Sequence, residues 1–329
     1  MRCLIELSGE CLDLATAEAL SVCSIADKAV RSESDGRALL VTGNIDPKIL
    51  VSRLGLAWSV SQHLFSCKPG EIDSRLDEIA LPGNTFRVRT SRLGSRHSPN
   101  DGVGLAKHAG EILSARYRVD LENPDSELRI LMANEIHAGI LTGEIDRSSF
   151  EARKPENRPF NHPISLHPKL ARALVNLTRA GDGQILLDPF CGTGGVLLEA
   201  GLIGCQTLGG DIDERMVEGA AKNLRHFSIR PIEIRKADIS EWSENQGRVD
   251  AIATDPPYGR SATTAKEPIG ALYARAFSAC HDALREGGRL AIALPAEKHV
   301  GLAKDFRLEG MYPVRVHRSL TRYFCVFSK

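Results

Sequence analysis

Over residues 166–329 short apolar runs alternate with longer helical stretches. ILL (Ile185–Leu187), TLGG (Thr207–Gly210), IEI (Ile232–Ile234), DAIAT (Asp250–Thr254) and LAIAL (Leu290–Leu294) read as strands buried on both faces. Between them GVLLEAGLI, ERMVEGAAKNLRHF and IGALYARAFSACHDALREG read as helices, the last with Gly287-Gly288 as its stop signal. This βαβ rhythm predicts a doubly wound parallel sheet. Pro313–Ser319 and Arg322–Ser328 are close enough to pair as an antiparallel hairpin at the sheet edge.

The first half has a different pattern. Met1–Leu7, Arg37–Val41 and Phe86–Thr90 read as strands, and Leu128–Ala133 with Ile136–Leu141 as a closing strand pair. Thr16–Ala29 and Gly104–Tyr117 read as helices. The pattern predicts mixed α+β structure in two small units, residues 1–66 and 67–146. Residues 147–165, rich in Arg, Lys, Pro and Asn without apolar period, read as a linker held extended by prolines. Residues 166–329 then form the larger domain.

A chain of 329 residues with 42% apolar and 26% charged residues suits a globular protein of several domains. Zero formal net charge excludes a histone-like polycation but allows a local basic face. The start carries acidic residues and no long apolar core, so it reads as no signal peptide, and the longest low-charge stretch, 185–205, carries Asp188, Glu199 and several glycines, a poor bilayer span. A cytoplasmic protein without a membrane association is expected. The eight cysteines are scattered without CxxC or zinc-like Cys/His spacing, so they are expected to be reduced, and no metal site is expected.

The segment ILLDPFCGTGGVLLEA carries the first chemistry. A buried strand ends at Asp188, a turn with glycines at 192, 194 and 195 follows, and a helix opens. In a doubly wound sheet this turn faces the ligand crevice, and glycines let backbone amides approach a ligand closely. It is not the GxGxxG fingerprint, and a carboxylate there would repel a pyrophosphate. It suits a ligand with a cationic end, such as the amino-acid part of S-adenosylmethionine. The next strand ends at Asp211, 23 residues after Asp188, where an acid can accept from a ribose diol. The third leads to Asp238, where an acid can accept from an adenine amino group. Asp213 reads as the N-cap of the following helix.

Strand four ends in Thr254-Asp255-Pro256-Pro257-Tyr258-Gly259. Two prolines impose a rigid extended turn, and Gly259 lets the chain bend away. An exocyclic amine on a nucleobase is a weak nucleophile, because its lone pair is delocalised into the ring. Acceptors on its N–H groups draw the nitrogen towards sp³. Asp255 is one acceptor, the Pro256 carbonyl is a second, and Tyr258 offers a face for stacking the base. The sulfonium methyl is already activated, so positioning supplies most of the catalysis.

DPFCGTGG and DPPYG resemble the amino-methyltransferases that modify adenine N6, cytosine N4 or guanine N2. The resemblance implies that Asp188, Gly192, Gly194, Asp211 and Asp238, with Pro189, Cys191, Ile212 and Ile239 beside them, bind S-adenosylmethionine. It implies that Asp255, Pro256 and Tyr258 carry the reaction. Arg158–Pro163 with the following HPKLARALVNL is similar to the corresponding segment of tRNA guanine-10 N2-methyltransferases, which implies that His167, Pro168 and Arg172 lie near the methionine end of the cofactor. A helix covering the sheet explains Arg172 equally well. FRVRTSRLG, the helix near 104–116 and YRVDLENPDSELRILMANE resemble a THUMP domain, here 67–146, preceded by a ferredoxin-like unit, 1–66.

Between Phe86 and Arg118 seven basic residues (Arg87, Arg89, Arg92, Arg96, Lys107, Arg116, Arg118) face only Asp101 and Glu111. Arg87, Arg89, Arg92, Arg96, Lys107 and Arg116 are therefore expected to contact tRNA phosphates, with a solvated helix face as the competing explanation. The implied fold is α/β, a Rossmann-like class I methyltransferase domain with an antiparallel edge hairpin, preceded by an α+β THUMP module. The implied activity is mono- or dimethylation of guanosine N2 in tRNA, at position 10. Another tRNA or ribosomal RNA guanine, or an inactive RNA-binding or assembly factor, are the alternatives. A duplex-DNA adenine methyltransferase is disfavoured by the absence of a helix-turn-helix or zinc pattern. Eukaryotic relatives need a small zinc-binding activator subunit, and the resemblance extends that expectation to this chain.

Overall fold

A computed structural model describes residues 1–94, 99–162, 165–258, 267–317 and 320–329. The chain divides into two compact units, residues 1–52 with 57–145, and residues 53–56 with 146–329.

The first unit runs β1 (Arg2–Leu7), α1 (Leu12–Ala26), β2 (Arg31–Asp35), β3 (Ala38–Thr42), α2 (Pro47–Arg53), β4 (Ala57–Cys67), α3 (Ile72–Glu78), β5 (Thr85–Arg92), α4 (Pro99–Ser114), β6 (Arg118–Val119), β7 (Ser126–Met132) and β8 (Ile136–Glu144). Its eight strands make one continuous sheet in the order β2-β3-β1-β4-β8-β7-β5-β6. The strands expected from the apolar pattern are present, and β7 pairs antiparallel with β8. The apolar pattern did not show β4, which pairs with β1 on one side and β8 on the other. Its stretch AWSVSQHLFSC interleaves serines with apolar residues, and the pleat buries Ser59 and Ser61 as well as Val60. Ser59 and Ser91 both donate to the buried Glu6 carboxylate, at 3.4 and 3.2 Å, so polar residues inside this sheet are satisfied. Phe65, Leu76, Phe86, Leu113, Leu128 and Ile130 form the core between the sheet and helices α3 and α4.

The second unit runs α5 (Arg147–Ala152), α6 (Pro168–Leu177), β9 (Ile185–Asp188), α7 (Gly195–Leu202), β10 (Gln206–Asp211), α8 (Glu214–His226), β11 (Glu233–Lys236), β12 (Val249–Thr254), α9 (Ile269–Ala283), β13 (Leu284–Leu294), β14 (Arg307–His317) and β15 (Leu320–Ser328). Its seven-stranded sheet has the order β11-β10-β9-β12-β13-β15-β14. The first five strands are parallel to their neighbours, and β15 runs antiparallel between β13 and β14. The edge hairpin is thus present, with β14 starting earlier than the apolar run suggested. Strand order reverses between β9 and β12, which opens a crevice beyond their carboxyl ends. Trp242, Tyr273, Phe277, Leu290 and Phe327 anchor the core on one face.

The end of α9 differs from the sequence expectation. The helix stops at Ala283 rather than at Gly287-Gly288, and Leu284 already pairs with Val249 in the sheet. The register then jumps to Ala251 opposite Arg289, so residues 285–288 bulge out of the ladder. Gly287 has φ +72°, and a Cβ on Gly288 would meet Leu284 Cγ at 2.7 Å. The two glycines serve this bulge instead of capping a helix.

The segment 147–165, expected as an extended linker, is packed where it is described. Asp146 caps α5 by accepting from the Ser149 amide at 3.2 Å. Arg153 donates to both oxygens of Glu199, at 2.8 and 3.2 Å, and Arg172 reaches the same carboxylate at 2.8 Å. Glu199 is fully buried on α7, so the two guanidinium groups neutralise it where water cannot. Charge buried by long-range pairing explains why a stretch without apolar period still folds onto the sheet.

Candidate active site

The turn after β9 is set by Asp188. Its carboxylate accepts from the Thr254 hydroxyl at 2.6 Å and from the Phe190 amide at 3.2 Å. It thereby ties the ends of β9 and β12 together. Gly192 and Gly194 have φ of +49° and +79°. A Cβ on Gly194 would press on Ala220 of α8 at 3.1 Å, whereas one on Gly192 would meet none of the described residues within 4 Å. Pro189 and Cys191 are buried beneath this turn. Asn223 of α8 fastens it by donating to the Thr193 carbonyl at 2.9 Å and to the Phe160 carbonyl at 2.8 Å.

At the end of β10, Asp211 accepts from the Gly192 amide at 3.0 Å and from the Asp213 amide at 3.0 Å. Ile212 beside it is 43% exposed, an apolar surface at the crevice, while Ile239 is buried in the core. Asp213 caps α8 through the Arg215 amide at 3.0 Å, as its position suggested. Asp238 is more engaged than expected. It caps the short helical turn that follows it, accepting from the Ser240 amide at 3.0 Å, and takes Arg275 at 2.6 and 3.3 Å. These bonds hold the Asp238 carboxyl well below the usual carboxylate range, Arg275 contributing most.

Asp255 follows β12 at the same end of the sheet. Its side chain is 15% exposed, accepts from the Tyr258 hydroxyl and lies 3.4 Å from Arg322 of β15. The Arg322 guanidinium also stands over the Tyr258 ring, 5.2 Å from its centre. Pro256 is buried, and the Pro257 carbonyl accepts from the Tyr273 hydroxyl at 2.8 Å, which pins the proline turn to α9. Burial raises the Asp255 carboxyl above its ordinary range, against the opposing pull of Arg322 and Tyr258. Burial and the neighbouring carboxylate push the Tyr258 hydroxyl well up.

Burial raises Asp188 to about 7, and the nearby Asp255 and Asp211 carboxylates add to that rise. Burial also raises Asp211, against its backbone hydrogen bonds. Three acids within electrostatic reach of one another, on three strand ends around an open glycine turn, form a site short of positive charge. This set of acceptors therefore fits a cationic ligand with hydroxyls, which matches S-adenosylmethionine and not a dinucleotide pyrophosphate.

His167 caps α6, its Nδ1 accepting from the Lys169 amide at 3.3 Å, and Pro168 fills the first helical position. Arg172 is buried against Glu199, the structural role that was the competing explanation. Of the residues expected to touch RNA, Arg89 and Lys107 are exposed, with side chains 53% and 79% accessible, and Arg92 is exposed as well. Arg87 is drawn into Glu127 and the Leu121 carbonyl, and Arg116 donates to the Ile79 and Leu76 carbonyls at 2.8 and 2.6 Å. Arg96 and Gly259 lie outside the described residues. Sequence reasoning missed Thr254, Tyr273, Arg275 and Arg322. The one signal in the sequence was a lone arginine inside the apolar strand LTRYFCVFS.

Sheet order, glycine turn and acid set define a Rossmann-like, S-adenosylmethionine-dependent methyltransferase. Residues 155–323 match the family model of the RMKL-like methyltransferase domain, UPF0020, and the chain belongs to that family. It is 36% identical to the tRNA (guanine(10)-N2)-dimethyltransferase of Methanothermobacter thermautotrophicus, with both chains covered in full. It is 35% identical to the enzyme of that name from Pyrococcus abyssi, over 98% of each chain. Among solved structures, TrmN from Thermus thermophilus shares the fold at a TM-score of 0.57 and 23% identity, with both chains covered in full.

Proposed function

We propose that this enzyme methylates the exocyclic N2 of guanosine 10 in tRNA, with Asp255, Pro256 and Tyr258 as its catalytic residues. The observation that carries the reading is a largely buried acceptor carboxylate, Asp255, at the strand-order reversal. It stands beside the acidic glycine turn that suits S-adenosylmethionine. Full-length similarity to two tRNA (guanine(10)-N2)-dimethyltransferases supports the target and the capacity for a second methyl.

S-adenosylmethionine supplies a methyl on a sulfonium that keeps the carbon–sulfur electron pair when the methyl leaves. Asp188 and Asp211 bind its cationic and ribose ends, with Pro189, Cys191, Gly192 and Gly194 shaping the turn. Ile212 flanks the adenine, with Ile239 buried in the core behind that wall. Asp238 accepts from the adenine amino group, and His167 and Pro168 border the methionine end. Asp255 and the Pro256 carbonyl each accept an N–H of the target amine, which turns the nitrogen lone pair outward, and Asp255 takes the proton that the nitrogen sheds once the methyl is bound to it. Tyr258 stacks on the base, which must leave its helical stack to reach this depth. Residues 67–146 act as a THUMP domain following a ferredoxin-like unit, with Arg89, Arg92 and Lys107 as its phosphate contacts. A tRNA substrate puts the enzyme in the cytoplasm. A small zinc-binding activator subunit is a further proposed partner, carried by the family resemblance.

The test is transfer of labelled methyl to a tRNA transcript, beside a transcript with adenine in place of guanine 10. Label on the first alone, counted by nucleoside analysis, is the expected result. Asp255→Ala should abolish it while cofactor binding persists. Equal label on both transcripts moves the target to another guanine. Full activity of the purified chain alone removes the need for an activator.

A further inference from the structure

Arg322 is costly where it stands. Its side chain is only 7% exposed, and its Nε is buried without a hydrogen-bond partner among the described residues. The ion pair with Asp255 is long, at 3.4 Å, and the remaining guanidinium surface lies over an aromatic ring. Guanidinium groups carry five donors and no acceptor, so this one retains unused donors next to the reacting carboxylate. Burying a charge so incompletely paired costs stability, and a ligand acceptor would offset that cost.

The DPPY turn does not by itself select a base, because adenine, cytosine and guanine all carry an exocyclic amine. Their edges differ beside it. Guanine presents N2–H, N1–H and O6 in a row: donor, donor, acceptor. Adenine and cytosine place a ring-nitrogen lone pair next to the amine instead. We propose that Asp255 and Arg322 act together as the guanine-reading edge of the site, the carboxylate accepting from N2–H and N1–H and the guanidinium donating to O6. The inference rests on guanine N2 being the target. The Tyr258 hydroxyl holds the Asp255 Oδ1 position in the absence of the base and gives it up as the ring turns to stack. The second N2 hydrogen remains for the Pro256 carbonyl. A carboxylate oxygen facing the lone pair of adenine N1 or cytosine N3 is repelled, so the same pair rejects both bases.

The experiment measures single-turnover methyl transfer by the full chain to tRNAs that carry guanine, 2-aminopurine or 2,6-diaminopurine at the target. Both analogues keep the 2-amino group and lose N1–H and O6. Wild-type enzyme should favour guanine by roughly 10⁴-fold, the scale at which a site built to hydrogen-bond rejects an analogue lacking the group. Arg322→Gln should cut that preference at least about tenfold, by slowing guanine far more than 2-aminopurine, and Arg322→Lys should restore part of it. Equal slowing on all three bases would reduce Arg322 to support of the fold and overturn the proposal. So would a wild-type enzyme that shows no preference, a result that needs no variant to fold. Wild-type transfer to the guanine tRNA tests the target, and the ratio between bases tests Arg322, so the two ideas fail separately.

Discussion

At the residue scale the site is governed by how far each carboxylate is removed from water. Burial holds the Asp188 carboxyl at about 7, well above an unfolded aspartate at about 3.9. The folded state therefore holds this proton more tightly than the unfolded one. The stabilisation is fully present below the unfolded value and is lost as pH rises through about 7. A cationic cofactor needs the ionised form, so binding and protonation compete. Cofactor affinity, measured by calorimetry from pH 5.5 to 8, should weaken by up to about tenfold per unit below the Asp188 pKa. Asp188→Asn should bind weakly at every pH. An affinity flat across this range would assign the cationic end of the ligand to other residues. Asp238 shows the opposite effect, since Arg275 and the Ser240 donors keep it ionised throughout. Such differences among aspartates at strand ends are invisible in their spacing.

At the element scale, α9 steers the catalytic turn although it carries no part of the DPPY motif. Tyr273 is fully buried on that helix and spends its hydroxyl on the Pro257 carbonyl. Tyr273→Phe keeps the ring in the core and removes one neutral hydrogen bond, worth about 1 kcal/mol. Its kcat should fall by roughly three- to tenfold, with cofactor affinity and thermal midpoint nearly unchanged. A loss of cofactor binding on the same scale would mean that α9 shapes the whole crevice. The alternation that predicted β9, β10, β12 and β13 was legible because parallel strands covered on both faces are apolar, whereas β11, expected from Ile232–Ile234 as a buried strand, is the edge strand Glu233–Lys236 with no buried residue. Strand β4 was not, because Ser59 and Ser61 are buried among its apolar residues, Ser59 donating to Glu6. The glycines at 287 and 288 misled for a related reason: a helix stop and a β-bulge require the same backbone freedom.

At the scale of the whole molecule, the basic surface of the first unit must be counted by exposure rather than by composition. Arg87 and Arg116 turn their guanidinium groups into the unit, whereas Arg89, Arg92 and Lys107 are exposed, Arg89 with Glu127 at 4.0 Å and Lys107 with Glu111 at 3.9 Å. Replacing the last three with alanine should weaken tRNA binding. It should also lower the slope of log affinity against log salt by about 0.7–0.9 for each phosphate that is no longer neutralised. Arg116→Ala should instead lower the stability of the first unit, since it leaves two carbonyls at the end of α3 without their donor. An unchanged salt slope in the triple variant would move the RNA face elsewhere.

The sequence by itself determined the parallel sheet, the glycine turn, the acids at the strand ends and the DPPY turn. Each depends on local sterics or on a period of a few residues, and such signals are complete within a short window. Only the tertiary structure decided which groups meet: Thr254 with Asp188, Arg322 with Asp255, Arg275 with Asp238, and Arg153 and Arg172 with Glu199. These pairings join segments far apart in the chain and set the charge state of the site. Their energies depend on burial, which follows from how the strands are ordered across the sheet and not from any one strand.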